Sequence, residues 1–204
     1  MRVRWISTLP FLIALGACAS VPVSSQRVPP PPPALVHSSQ LDFFFGVRSL
    51  DQDDWAPVED HGVIGITFVH EPEESAVGLE LGFAASGEKE DDVPFGGGTV
   101  DVEGRTSEIS AGVRKTFVRE EGFVHPYLGA GIAAIRAEFE GSPGSKDDDS
   151  SPGIYFHGGM DFDLGTNFLL GFDMRFLGGT DITLFGDDGT ADYAQFVIFL
   201  GVRF

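Results

Sequence analysis

Read backward from the last residue, the chain alternates. Phe204, Val202, Leu200, Ile198 and Phe196 are large and apolar, and Arg203, Gly201, Phe199, Val197 and Gln195 between them are a mixed set. A strand sends alternate side chains to opposite faces. Residues 191–204 are therefore expected to form a strand with one continuous apolar face that runs to the final residue. The same pattern recurs upstream in segments of roughly ten residues, broken by Gly, Asp, Pro or Ser. Eight such segments are expected, at 41–50, 62–70, 76–85, 107–118, 124–139, 153–163, 168–178 and 191–204.

The apolar face is built from Phe, Leu, Ile and Val, for example Phe43, Phe45 and Val47, or Leu79, Leu81 and Phe83. The second face is Gly with Asp, Glu, Arg, Thr, Ser and Gln. A soluble barrel needs its bulky apolar groups inside and long charged groups outside. This second face is too poor in long charged residues for a solvated exterior, but it suits a narrow lumen filled by small residues and ion pairs. Lys115 interrupts the apolar face near a strand end, where its long side chain can reach the headgroups. Arg136 and Glu138 fall on the apolar face of the fifth segment, which leads to the expectation of a bulge near Ile135.

No apolar run reaches the length of a membrane-spanning helix. The reading is all-β: an eight-stranded antiparallel up-and-down transmembrane β-barrel. With the amino terminus in the periplasm, the connections at 51–61, 86–106, 140–152 and 179–191 are long and extracellular. Those at 71–75, 119–123 and 164–167 are short and periplasmic, the usual asymmetry of bacterial barrels. The even strand count returns the chain to its starting side, and the eighth strand is expected to pair with the first so that no edge is left open in lipid.

The front of the chain sets the compartment. Residues 1–17 carry Arg2 and Arg4, an apolar stretch too short to span as a helix, and then small residues. They read as an export signal, to be left out of the fold. Leu15-Gly16-Ala17-Cys18 resembles the lipobox of bacterial lipoproteins, which implies acylation of Cys18 and, with Ala19 next, sorting to the outer membrane. Cys18 is the single cysteine, so an internal disulfide and a Cys-rich metal site are excluded. Residues 18–40 contain Pro29 to Pro33 without apolar periodicity, and read as a periplasmic tether of extended polyproline. Residues 41–204 are the barrel.

Charge then narrows the chemistry. A net charge of −18 makes nucleic acid an implausible partner. Alternation places Asp42, Arg48, Glu80, Arg114, Asp161, Asp163, Asp173, Arg175 and Arg203 in the lumen. With eight strands the interior just accommodates side chains. These charges must pair or pay a desolvation cost, so they are expected to form a plug that fixes the register. The outer connections are acidic, at Asp51, Asp53, Asp54, Glu59 and Asp60, at Glu88, Glu90, Asp91 and Asp92, at Asp147 to Asp149, and at Asp187 and Asp188. They read as solvated loop tips. Their oxygens also suit divalent cations bridging to lipopolysaccharide phosphates, although no spacing defines a ligand set. No metal or cofactor is expected. Of His37, His61, His70, His125 and His157, only His157 sits mid-strand and points inward, beside Asp161. No nucleophile–base–orienter set can be drawn from spacing, so no catalytic residue is assigned.

Gly112-Val113-Arg114-Lys115-Thr116-Phe117, a short turn, and His125-Pro126-Tyr127-Leu128-Gly129-Ala130-Gly131-Ile132 resemble the paired-strand signature of small outer-membrane barrels of the opacity and OmpW-like families. Phe204 resembles the C-terminal signal read by the barrel-assembly machinery. The resemblance implies an outer-membrane barrel among lipid and lipopolysaccharide. The expected function is a non-enzymatic structural or surface-interaction role carried by the extracellular loops. A lipid-A-modifying enzyme and a narrow channel for small solutes stand as alternatives.

Overall fold

The computed structural model describes residues 39–72, 77–117, 122–141 and 144–204. The leader at 1–17, Cys18, His37 and nearly all of the proline-rich stretch lie outside the described residues. Eleven elements follow in order: β1 (Ser39–Leu50), α1 (Gln52–Trp55), β2 (Asp60–His70), β3 (Gly78–Phe95), β4 (Gly98–Thr116), β5 (Val124–Gly141), β6 (Ser145–Asp163), β7 (Phe168–Gly178), β8 (Ile182–Leu184), β9 (Asp187–Gly189) and β10 (Tyr193–Arg203). β8 and β9 form a separate small hairpin. The other eight strands close into a barrel in the order β1-β10-β7-β6-β5-β4-β3-β2.

Each barrel strand runs antiparallel to both neighbours, and the first pairs with the last from Gln40↔Arg203 to Leu50↔Tyr193. Beyond that ladder Phe204 N–H donates to Ser39 O at 2.9 Å and Ser39 N–H to Phe204 O at 3.2 Å. The pairing leaves no barrel edge open, as hydrocarbon demands.

Phe43, Phe45, Ile64, Leu79, Leu81, Ile109, Leu128, Ile132, Phe156, Phe196 and Leu200 point outward and are exposed, Ile109 at 67 % and Phe45 at 63 %. A continuous apolar girdle of this extent is a lipid-facing surface. The residues between them turn inward and are largely buried.

Two of the expected loops are strand. The stretches 86–106 and 140–152 are not loops. They are extensions of β3–β4 and β5–β6 past the apolar girdle, closed at the first by the Gly96-Gly97 turn with φ of 57° and 88°. Two positive φ angles are what a two-residue hairpin turn matching strand twist requires. Apart from Val93, Phe95, Val100 and Val102, these extensions are polar on both faces because they stand clear of the apolar girdle, so the hydropathy pattern fades while the ladder continues.

The same reasoning removes the bulge expected near Ile135. β5 keeps one register against β4 and β6 throughout. Arg136 and Glu138 face outward beyond the girdle, where Arg136 pairs with Asp148 at 2.9 Å and Glu138 with Lys146 at 2.7 Å. The register shift lies instead in β3, between Glu90 and Val93, where Asp92 takes φ of 60°. Of the other two connections on this loop side, one holds the helical turn α1 and the other the β8–β9 hairpin.

Candidate functional site

The lumen is built from a unit used three times. Arg114 lies 3.6 Å above the ring of Tyr127, Arg175 lies 4.0 Å above Tyr155, and Arg48 lies 3.9 Å above Tyr193. Each arginine also meets a carboxylate. Arg114 Nη2 donates to Asp161 at 2.7 Å, with Asp42 3.8 Å away. Arg175 donates to Glu80 at 3.2 Å and to Glu108 at 3.0 Å. Arg48 donates to Glu108 at 3.0 Å, to Gln195 at 2.8 Å and to Thr106 at 2.8 Å.

The three hydroxyls complete the units: Tyr127 donates to Asp173 at 2.8 Å, Tyr155 to Glu80 at 3.0 Å and Tyr193 to Glu108 at 2.6 Å. A guanidinium stripped of water needs its donors matched and its flat faces covered by something weakly hydrated. The ring face supplies the second requirement electrostatically.

The remaining charges join these units. Arg203 donates to Asp161 at 3.3 Å and to Gln40 at 3.1 Å, and pairs with Asp163. Gln40 Nε2 donates to both oxygens of Asp42 at 2.9 Å. His157 is not beside Asp161, as its position along β6 suggested. Its Nδ1 is 2.8 Å from Asp173, and its Nε2 is 3.3 Å from Glu80. Cross-lumen partners come from other strands, so spacing within β6 could not identify them.

Glycine makes the room. Gly112 and Gly131 face each other across β4 and β5, and a Cβ on either would meet the Tyr155 hydroxyl at 2.3 or 2.7 Å. A Cβ on Gly129 would lie 2.0 Å from His157 Nε2. The void left among Asp42, Glu80, Arg114, His157 and Asp173 is about 30 Å³, room for about two waters.

The expected lumen charges Asp42, Arg48, Glu80, Arg114, Asp161, Asp173, Arg175 and Arg203 thus meet in one cluster. Sequence reasoning missed Glu108, the acceptor shared by two arginines and a tyrosine. Its signal was parity: it shares a face with Ser110, Gly112 and Arg114 but lay at the edge of the segment read as strand. Tyr127, Tyr155 and Tyr193 share the inward parity, but each meets an arginine from another strand, which spacing along one strand does not show.

The loop end carries a roof. Trp55 is buried, donates from Nε1 to Thr190 O at 2.8 Å and meets His61 edge-on at 5.5 Å. It joins Leu50, Ile135, Ala137, Leu177, Ile182 and Ala191 in an apolar cluster. His61 is not in a connection, as the pattern suggested. It sits in β2, fully buried, with Nδ1 2.9 Å from Ser86 Oγ and Nε2 3.0 Å from Val58 O. This Ser–His pair is sealed beneath Trp55 and Val58. Among the described residues no Ser or Thr hydroxyl bonds to His157.

The acidic connections are more ordered than solvated tips. Asp51 accepts from Asp53 N–H at 3.0 Å and caps α1. Asp54 accepts from Thr190 N–H at 2.8 Å and Oγ1 at 2.9 Å, joining α1 to the last connection. Asp147 accepts from Phe185 N–H at 2.6 Å, and Asp192 from Thr180 N–H at 2.9 Å. Asp149 accepts from Thr183 N–H at 2.8 Å and Ser150 N–H at 2.7 Å, and these two donors hold its carboxyl below its ordinary pKa. Short carboxylates satisfy the unpaired N–H groups of turns, which explains much of the acidity here. Among the described residues no group of three or more His, Cys, Asp or Glu side chains is placed to hold a metal ion.

Comparison with known proteins agrees with this architecture. The model of a family described as the outer membrane protein beta-barrel domain matches residues 11–204. Among solved structures the fold is similar to Ail, the attachment invasion locus protein of Yersinia pestis, at 15 % identity and a TM-score of 0.57, covering 82 % of this chain and 99 % of that one. It is also similar to the outer membrane protein OprG from Pseudomonas aeruginosa, at 14 % identity and a TM-score of 0.56, covering 82 % and 97 %. Neisserial surface protein A matches at 17 % identity and a TM-score of 0.54, covering 81 % and 96 %. At these identities the likeness is one of fold. Comparison with curated proteins returns no match.

Proposed function

Because the chain belongs to the outer membrane protein beta-barrel domain family, and so to the bacterial outer membrane, we propose that it is a non-enzymatic envelope protein, a sealed barrel that presents a rigid interaction platform at its loop end. The observation that carries this reading is the filled lumen. Three stacked arginines, their carboxylates and the tyrosines occupy the space a solute would need. That arrangement weighs against the narrow-channel reading, and the sealed Ser–His pair weighs against a lipid-modifying enzyme.

In this proposal the termini face the periplasm and the extended hairpins stand outside the cell. The asymmetry supports it: short turns at one end, long hairpins and a roof at the other. Acylated Cys18 and the proline tether anchor the periplasmic side, and Phe204 is the feature the barrel-assembly machinery reads. Beyond the girdle, Lys89, Arg105, Arg136 and Lys146 point outward at half exposure, each beside a carboxylate. They are placed to meet phosphate groups of lipopolysaccharide, with divalent cations serving the neighbouring acids.

A deletion strain scored for envelope permeability and for surface binding tests the reading. Loss of binding with unchanged solute uptake is expected. Reduced uptake of a small solute with normal binding would overturn it. An epitope inserted at Gly97 should be accessible on intact cells. Labelling with radioactive palmitate should be lost in C18A.

A further inference from the structure

We propose that the cleft between α1 and the β8–β9 hairpin binds a small organic cation with an apolar body, such as an aryl- or alkylammonium ion. The cleft has a volume of about 380 Å³. Phe139, Leu184 and the exposed Phe185 line its apolar side against the buried Trp55 and Ile182, and the exposed acids that line it are Asp53, Asp54, Asp187 and Asp188. The rings approach one another at 6.4 Å for Trp55–Phe139 and 6.3 Å for Phe139–Phe185.

Among the described residues, none of the four aspartates has an ion-pair partner, whereas the acids at 91, 103 and 148 each have one and Glu138 has two. The charge complement of the four is therefore supplied by no neighbouring side chain. Aromatic faces add attraction for a cation and cover for its apolar body. An anion would meet four carboxylates, and a neutral apolar ligand would leave them unused. A bare metal ion would use only the carboxylates, and no three of them converge.

Phe185 fits the same purpose. It takes φ of 55° at the hairpin turn, a conformation that Gly or Asn adopts freely, and stays 51 % exposed. A large aromatic there gains the hairpin little burial. Its ring instead lines the cleft.

The inference rests on the loop-end platform proposed above, but its test does not depend on orientation or phenotype. The full chain is refolded in detergent as W5F, so that Trp55 is the sole tryptophan reporter. The probe is 2-phenylethylammonium, with 2-phenylethanol and phenylacetate as neutral and anionic counterparts. Asp54 and Asp188 also accept from Thr190 and Thr183, so the aspartate variants are D53N and D187N.

The expected result is a saturable change in Trp55 emission with the cation, weakened by salt and absent with phenylacetate. Affinity should fall at least about fivefold in the D53N/D187N double variant and in F185G. F185G should fold normally, since glycine suits that turn. Equal responses to the ammonium and the alcohol, or unchanged affinity in both variants, would overturn the proposal. So would binding only when the cation is carried on a peptide. Failure here beside a normal surface-binding phenotype would remove the cleft and leave the platform.

Discussion

Arg48 sits over the ring of Tyr193, its guanidinium carbon 3.9 Å from the ring centroid, and Glu108 bonds to both from across the lumen. Glu108 also takes Arg175. E108Q therefore leaves two buried arginines short of charge while nearly preserving shape. Removing one partner of a buried ion pair costs about 3–5 kcal/mol. The folded band on an unheated gel should convert to the unfolded position at a clearly lower temperature. An unchanged conversion temperature would mean that Glu108 is not the keystone of this layer.

The glycines allow a paired test. Adding a Cβ at Gly129 drives it to 2.0 Å from His157, whereas at Gly62 nothing lies within 4 Å. G129A should cost about 1–3 kcal/mol as an overpacking change, and G62A should be close to neutral. Urea unfolding in the same lipid would compare them. Equal stability of the two variants would contradict the filled lumen.

Phe204 makes its structural contribution through the backbone pair with Ser39, while its side chain is 62 % exposed. Deleting it removes the outermost link of the β1–β10 seam and the aromatic end group together. Insertion into the outer membrane should fall further than for deletion of any loop-end turn, measured as the heat-modifiable fraction in isolated membranes. Normal insertion would separate the terminus from assembly.

Most of the barrel was legible because lipid imposes a strict period of two. Phe43, Phe45 and Val47 could not have belonged to another face. The strand extensions were hidden for the same reason: in water neither face needs to be apolar, so Glu88, Lys89 and Glu90 read as loop. The Gly96-Gly97 turn was the available clue. The lumen charges were visible by parity, but their partners were not, since Glu108 and Arg48 are neighbours only after the sheet closes. The cleft depends on where α1 and the small hairpin come to rest, which no periodicity encodes.

Asp149 gives the loop end a pH dependence. Its carboxyl is held down by the N–H groups of Thr183 and Ser150. A depressed carboxyl contributes its stability above its unfolded value and loses it as pH falls through the folded one. The β8–β9 hairpin should loosen from β6 only in strong acid, below the ordinary carboxylate range. D149N should show the loosened state already at neutral pH. Hydrogen exchange at the Thr183 amide would read both, and protection unchanged in D149N would remove this link.

The sealed lumen is the central claim, and planar-bilayer conductance tests it most directly. The purified barrel, its insertion verified by heat-modifiability, should give no stable conductance steps in concentrated salt. G129A and E108Q should open at most brief, noisy events as packing loosens. Steady, ion-selective steps from the unmodified protein would contradict the account.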